Sequence, residues 1–267
     1  MLAATITDQE FFHIRRLLHD LAGIHLSETK RNLVCCRLGK RLEKYGLKSF
    51  DDYFHLLSNG QQPGELQVAI DLLTTNETHF FREPKHFDFL RERILAHHRS
   101  SKSFRVWSAA CSTGQEPYTL AMILADHFGD APWEIIASDL SMRVLDQARG
   151  GQYALEQAKE IPERYLKKYC LKGVGTEEGT FLIDRVLRNR ISYQQINLNK
   201  TLPRLGEFDV IFLRNVMIYF SVDTKRQVIG RLLPLLKRGG HLMIGHSENL
   251  NGITEDVTPV VPSIYCR

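Results

Sequence analysis

The sequence predicts an α/β fold in which a Rossmann-like parallel sheet carries a small antiparallel insert and follows a small all-α domain. Three observations predict it. Helical patterns run without a strand from residue 7 to residue 74. From residue 104, apolar runs alternate with helical ones. Between 172 and 197, two strand-like segments bounded by glycines break that alternation. Alternating β and α segments wrap helices around a parallel sheet.

Each element has a local cause. Thr7 and Glu10 form a capping box that opens the first helix, and Gly23 and Gly46 fall at C-terminal ends. Ser49 caps FDDYFHLL. In a helix expected over 28–46, rotation of 100° per residue gathers Lys30, Arg37, Lys40, Arg41 and Lys44 on one face. Val34, Leu38, Leu42 and Tyr45 fall on a neighbouring apolar face. Periodicity fades in TTNETHFFREPKHF, where Pro84 limits any helix, so 74–90 is expected to link a helical domain at 1–73 to an α/β domain at 91–267. There FRVWSAA, WEIIASD, FDVIFLRN and GHLMIG read as strands. Helices are expected over 115–128, after Ser141 and through RQVIGRLLPLL. The insert is expected over 172–197.

Composition narrows the class. With 43% hydrophobic and 25% charged residues, the chain is too apolar for disorder. It has no apolar run of the roughly 18 to 20 residues that a membrane helix needs. The opening MLAATITDQEFFHIRR turns polar too soon for a secretory signal, so a cytoplasmic location without membrane insertion is expected. Five scattered cysteines lack CxxC spacing and eleven histidines lack HExxH, so neither a disulfide framework nor a metal site is expected. A net charge of +4 is mild for a nucleic-acid binder.

The loop SAACSTGQEPYTL sits where nucleotide-binding folds put a glycine-rich phosphate cradle, yet it holds only Gly114. Its small residues still allow backbone to approach a ligand, and Glu116 would repel a phosphate there. Asp139, ending WEIIASD, occupies the position of an acid that accepts ribose hydroxyls. S-adenosylmethionine fits: it brings an adenosine for Asp139, an ammonium for Glu116 and no phosphate. Alternatively, Glu116 only opens a helix, where an acid suits the macrodipole. The loop alone leaves these two readings level.

Other strand ends separate them. NETHFFR at 76–82, INLN at 196–199 and FLRNVMIYF at 212–220 put polar side chains beside apolar anchors. Together with SAACSTGQEPYTL and ASDLS they resemble, in order and spacing, the chemotaxis receptor methyltransferases, the CheR family. His79 stands within NETHFFR at a position where the family is expected to vary. The resemblance covers nearly the whole chain, to GGHLMIGHSE.

The resemblance implies a class I S-adenosylmethionine-dependent methyltransferase domain with a β-subdomain, acting on glutamate side chains in the cytoplasmic domains of bacterial chemoreceptors. It implies cofactor contacts from Asn76, Thr78, Arg82, Glu116, Asp139, Asn197, Leu198, Arg214 and Asn215. Arg82 and Tyr219 would lie nearest the transferred methyl. S-adenosylhomocysteine would be the product, a receptor tether peptide a ligand of the β-subdomain, and a monomer the working form. The cationic stripe of Lys30, Arg37, Lys40, Arg41 and Lys44 would dock a glutamate-rich receptor helix.

Plainer roles exist for single residues: Arg82 pairing with Glu83, Tyr219 packing beside Phe220, Asn76 capping a turn. Two rival functions also share the fold. A nucleic-acid methyltransferase is disfavoured because RNVMIYF replaces the Asn/Asp-Pro-Pro-aromatic signature of amino-methylating enzymes. A cofactor sensor without turnover is disfavoured by the full set of Asn76, Arg82, Glu116, Asp139 and Tyr219.

Overall fold

The computed structural model describes residues 5–60, 62–98 and 103–267, so the first four residues of the expected helical domain lie outside the described residues. Helix α1 (Asp8–Ala22) opens on its capping box, in which Glu10 N donates to Thr7 Oγ1 and Thr7 N donates to Glu10 Oε2. It closes on Gly23 at φ 71°, where an added Cβ would stand 2.6 Å from Thr224 Cγ2. Glycine is therefore required both by the left-handed cap and by the close approach of the α/β domain. A 3₁₀ turn (Glu28–Lys30) precedes α2 (Arg31–Tyr45), so the helix expected over 28–46 is split. Ser49 caps α3 (Phe50–Ser58), and α4 (Glu65–Leu73) completes the bundle. Phe11, Ile14, Leu18, Val34, Leu38 and Tyr53 fill its core.

Two residues of the cationic stripe face inward. Arg41 grips the Glu65 carboxylate through Nε, at 2.8 Å, and through Nη2, and Glu65 is only 4% exposed. Tyr45 and Tyr53 donate to the same carboxylate at 2.9 and 2.6 Å. Arg37 donates to the carbonyls of Leu72 and Thr74. The expectation that both arginines belong to a free docking face is corrected: α4 lies beside α2 and takes their donors. Lys30, Lys40 and Lys44 stay exposed.

Pro84 does not limit the linker helix but starts it. It occupies the first turn of α5 (Pro84–Phe89), where a missing N–H costs nothing, and one π turn (Leu90–Ile94) continues the rod.

Among the described residues, the α/β domain is built on a seven-stranded sheet of order β6-β2-β1-β7-β8-β10-β9. Strands β1 (Phe104–Ser108), β2 (Trp133–Asp139), β6 (Ile191–Gln195), β7 (Phe208–Leu213) and β8 (Leu236–Ile244) pair in parallel. A hairpin of β9 (Thr258–Val261) and β10 (Ile264–Cys266), unforeseen from the sequence, adds antiparallel strands at the edge. Helices α6 (Gln115–Phe128), α7 (Met142–Gly150) and α10 (Val222–Leu232) connect the parallel strands.

The insert differs in extent from its expected span of 172–197. Its sheet joins β3 (Gln152–Ala154), β5 (Thr180–Ile183) and β4 (Cys170–Lys172) in that order, with α8 (Glu163–Tyr169) between β3 and β5 in the chain. The short α9 (Arg185–Arg188) then leads back, and ISYQQ pairs with β2 as β6 of the main sheet. A five-residue run carries the same strand signal in either sheet, so only pairing separates them.

The helical domain sits over the carboxyl edge of the main sheet. Gln195 Nε2 donates to Gln67 Oε1 at 2.7 Å, Asn197 Nδ2 donates to Leu21 O at 2.6 Å, and Ile24 bridges Phe220.

Candidate functional site

Ligands of open α/β sheets bind beyond the carboxyl ends of the strands, where the connections diverge. Here β1 leads into Ala109, β2 ends at Asp139, β6 runs on to Asn197 and β7 runs on to Arg214. The linker crosses above them. Together with the turn between α1 and α2 they enclose a cavity of about 380 Å³, within the range of small-molecule sites.

Asn76, Thr78, Arg82, Glu116, Asp139, Asn197, Leu198, Arg214, Asn215 and Tyr219 all line it, and so does Lys30 from the helical domain. Arg37, Lys40, Arg41 and Lys44 do not belong to this lining.

The loop after β1 is shaped by Asp139, whose carboxylate accepts Ser112 N at 2.9 Å and Ser141 N at 3.0 Å. Burial raises the Asp139 pKa, and these amide donors hold it back. Ser112 Oγ donates to Asn76 O at 2.9 Å, tying the loop to the linker. Asn76 Nδ2 meets Thr74 Oγ1 at 3.3 Å, so the turn-bracing role coexists with a place in the lining.

Glu116 lies in the first turn of α6 and also serves the cavity. It accepts from Ser108 Oγ at 2.7 Å and from Arg214 Nη1 at 3.0 Å. Arg214, 6% exposed, donates further to Glu83 Oε2 at 3.0 Å and to the Arg82 carbonyl. It thus clamps the linker, α6 and β7 into one unit. Asn215 adopts φ 56° and donates to Glu83 Oε1 at 3.2 Å.

Arg82 does not pair with Glu83; its Nη1 donates to Glu77 O at 2.8 Å. Tyr219 ends a 3₁₀ turn (Met217–Tyr219), half-buried at the cavity wall, and its carbonyl accepts His25 N at 2.7 Å. Asn197 orders its own turn by accepting Asn199 N at 2.9 Å.

The sequence assigned no site role to several residues of this region, Glu83 entering only as a possible partner of Arg82. Glu83 holds Arg214, Asn215 and the His246 amide, and although burial opposes its charge, these three partners together outweigh that and keep its pKa low. Glu248 accepts Asn215 N and Gly245 N at 3.0 and 2.7 Å; burial raises its pKa. His86 is buried against the His246 ring, centroids 4.8 Å apart, and burial followed by the Arg214 charge pushes it down to about 3. Its neutral ring, with Glu83 and His246, forms a group whose possible ligand atoms lie within 4.8 Å of one another. Arg214 already occupies Glu83, and a guanidinium there opposes a second cation. The single acids of REP and HSE, Glu83 and Glu248, were the available signals. Cys111 is buried, and burial, with Asp139 and Glu116, raises its thiol pKa far from a nucleophile's range.

This set can hold a ligand by two different ends. Asp139 offers an acceptor at one strand end, and Glu116 beside Arg214 offers a carboxylate and a guanidinium suited to an amino-acid zwitterion. No helix of the described chain is long and apolar enough to cross a membrane.

Comparison with known proteins agrees. The family described as "CheR methyltransferase, SAM binding domain" matches residues 76–265, and "CheR methyltransferase, all-alpha domain" matches residues 9–74. The chain is 42% identical over 265 residues to the chemotaxis protein methyltransferase of Escherichia coli K12, covering 97% of this chain and 91% of that protein. Identity to the Salmonella typhimurium chemotaxis protein methyltransferase is 40% over 263 residues, covering 97% and 90%. The Borreliella burgdorferi protein of the same name is 34% identical over 275 residues, covering 99% and 96%. With both domains matched in order around a cavity lined by Asp139, Glu116 and Arg214, the chain belongs to the CheR methyltransferase family, and S-adenosylmethionine is its cofactor.

Proposed function

We propose that this protein is a protein-glutamate O-methyltransferase that esterifies glutamate side chains of bacterial chemoreceptors and releases S-adenosylhomocysteine. The convergence of four strand ends and the linker on one cavity carries this reading. In it, Asp139 accepts the ribose hydroxyls, Glu116 takes the ammonium, and Arg214 takes the carboxylate of the methionine end. Asn76, Thr78, Asn197, Leu198 and Asn215 complete the enclosure.

Held by Asp139, Glu116 and Arg214, S-adenosylmethionine would supply an electrophilic methyl for a carboxylate oxygen and leave as the neutral thioether S-adenosylhomocysteine. A glutamate with an ordinary pKa of about 4.3 is already ionised at neutral pH, so the protein needs no general base. Its task is orientation, which can supply several of the roughly 7 to 11 kcal/mol available from proximity. Tyr219 orients the attacking oxygen. Arg82 places cofactor and substrate without gripping the carboxylate so tightly that the ground state is favoured. The helical domain contributes His25 and Leu26 to the cavity wall.

Lys30, Lys40 and Lys44 are the stripe residues left to steer an acidic receptor helix. Exposed Leu171 and Val174, 54% and 77% exposed at the β4 edge of the small sheet, support strand addition by a receptor tether peptide. A cytoplasmic monomer is the working form in this reading.

The test is incubation with methyl-labelled cofactor and receptor-containing membranes. Alkali should release the label as methanol from a glutamyl ester. Label that survives alkali would overturn the glutamate assignment.

A further inference from the structure

The loop with a single glycine is held from behind by the insert. Gly114 sits at φ +97°, and an added Cβ would stand 2.7 Å from Tyr153 Oη and 2.8 Å from Ala148 Cβ. Glycine is therefore present for the approach of the protein's own tyrosine. Tyr153 Oη donates to Thr113 O at 2.7 Å. The side chain is 3% exposed, and burial raises its pKa, so the phenol remains a protonated donor.

Tyr153 belongs to β3 and pairs with Phe181 of β5 in the small sheet. Its ring meets Phe80 edge-on at 5.0 Å and Phe181 at 5.7 Å. Phe80 stands two residues before Arg82 in the linker. A second strut runs from Gln115 Nε2 to Gln157 Oε1 at 3.3 Å. On the cavity side of the same turn, Ser112 contacts Asp139 and Asn76. One side chain of the insert thus touches the loop and the linker, both of which line the cofactor cavity.

We propose that Tyr153 is a positioning residue for the cofactor, its hydroxyl setting the 112–114 turn against Asp139 and coupling the small antiparallel sheet to cofactor affinity. The inference rests on the cofactor reading of the cavity, not on the identity of the methyl acceptor. Removing the hydroxyl leaves the Thr113 carbonyl without this donor, and the turn relaxes away from the geometry that Asp139 and Asn76 share. Anything that displaces β3 reaches the cofactor by the same route.

The test compares the parent with Tyr153→Phe and Ile183→Val. Three quantities are measured: S-adenosylhomocysteine Kd by calorimetry, KM and kcat for methyl transfer, and Tm. Tyr153→Phe should raise Kd and cofactor KM about threefold to tenfold, the worth of one hydrogen bond, with kcat within about twofold. Ile183→Val, in the core of β5, keeps the hydroxyl and leaves the linker untouched; it should lower Tm and leave Kd within about twofold. Tyr153→Phe that lowers Tm yet binds like the parent would overturn the proposal and leave Tyr153 a packing residue. Equal loss of affinity in both variants would also overturn it, because general loosening would then account for the effect. A parent that binds no S-adenosylhomocysteine would overturn the cofactor reading and this inference together.

Discussion

Arg41→Ala should unfold the helical domain far more readily than any change at Lys40 or Lys44. Glu65 is 4% exposed, and its carboxylate receives donors from Arg41, Tyr45 and Tyr53. Burial raises the pKa of Glu65, but the Arg41 and tyrosine hydrogen bonds outweigh it, so the group stays ionised. Breaking a buried pair from one side costs about 3 to 5 kcal/mol, since it strands a charge. The two phenols remain, which sets the expectation at the low end, about 3 kcal/mol. With a urea dependence of about 1 to 3 kcal/mol per molar, the midpoint should fall by roughly 1 M or more. The domains can be followed separately. Both tryptophans, Trp107 and Trp133, lie in the α/β domain, so a loss of far-ultraviolet dichroism that precedes the fluorescence change marks unfolding of the helical domain. Lys40→Ala and Lys44→Ala, on exposed positions, should stay within about 0.5 kcal/mol of the parent. If Arg41→Ala is equally mild, the pair is not structural and Arg41 returns to the surface stripe.

Three further outcomes follow from the site. Asp139→Ala should weaken S-adenosylmethionine and S-adenosylhomocysteine by about 1.5 to 3 kcal/mol, through loss of a charged acceptor, and unchanged calorimetric affinity would remove Asp139 from the ribose subsite. Tyr219→Phe should lower turnover more than cofactor affinity, and the reverse pattern in steady-state kinetics would refute its role at the attacking oxygen. His86 is pushed from its ordinary 6.5 down to about 3, so the unfolded chain takes a proton that the folded chain refuses. Stability should be full above about pH 6.5 and fall by about 1.4 kcal/mol per unit towards pH 3. Glu83, held low, steepens that loss below about pH 4.5, whereas Asp139 and Glu248, both raised, oppose it. His86→Leu should flatten the slope between pH 6.5 and 4.5 in urea titrations, and an unaltered slope would exclude His86 as its source.

The sequence by itself determined those features whose cause is local. The Thr7–Glu10 and Ser49 caps, the left-handed glycines Gly23 and Gly46, and the alternation from residue 104 onward each depend on neighbours within one turn or one strand. The places of Asp139 and Glu116 in the cavity wall were legible for the same reason, since one ends β2 and the other opens α6, the helix that follows β1. Tertiary structure alone decided what those local rules leave open. A helical wheel puts Arg37 and Arg41 beside Lys40, but Glu65 lies 24 residues from Arg41 and captures it only because α4 packs against α2. ISYQQ reads as a strand in any sheet, and only pairing with β2 removes it from the insert. Glu83 resembles any helix-opening acid until folding brings Arg214, 131 residues away, to within 3.0 Å. Gly114 is the sharpest case: its sequence position suggested room for a ligand, yet Tyr153 occupies that space from 40 residues on from Thr113. Periodicity encodes which face of an element is buried, whereas the partner that meets that face is set by chain topology and packing, which no local pattern carries.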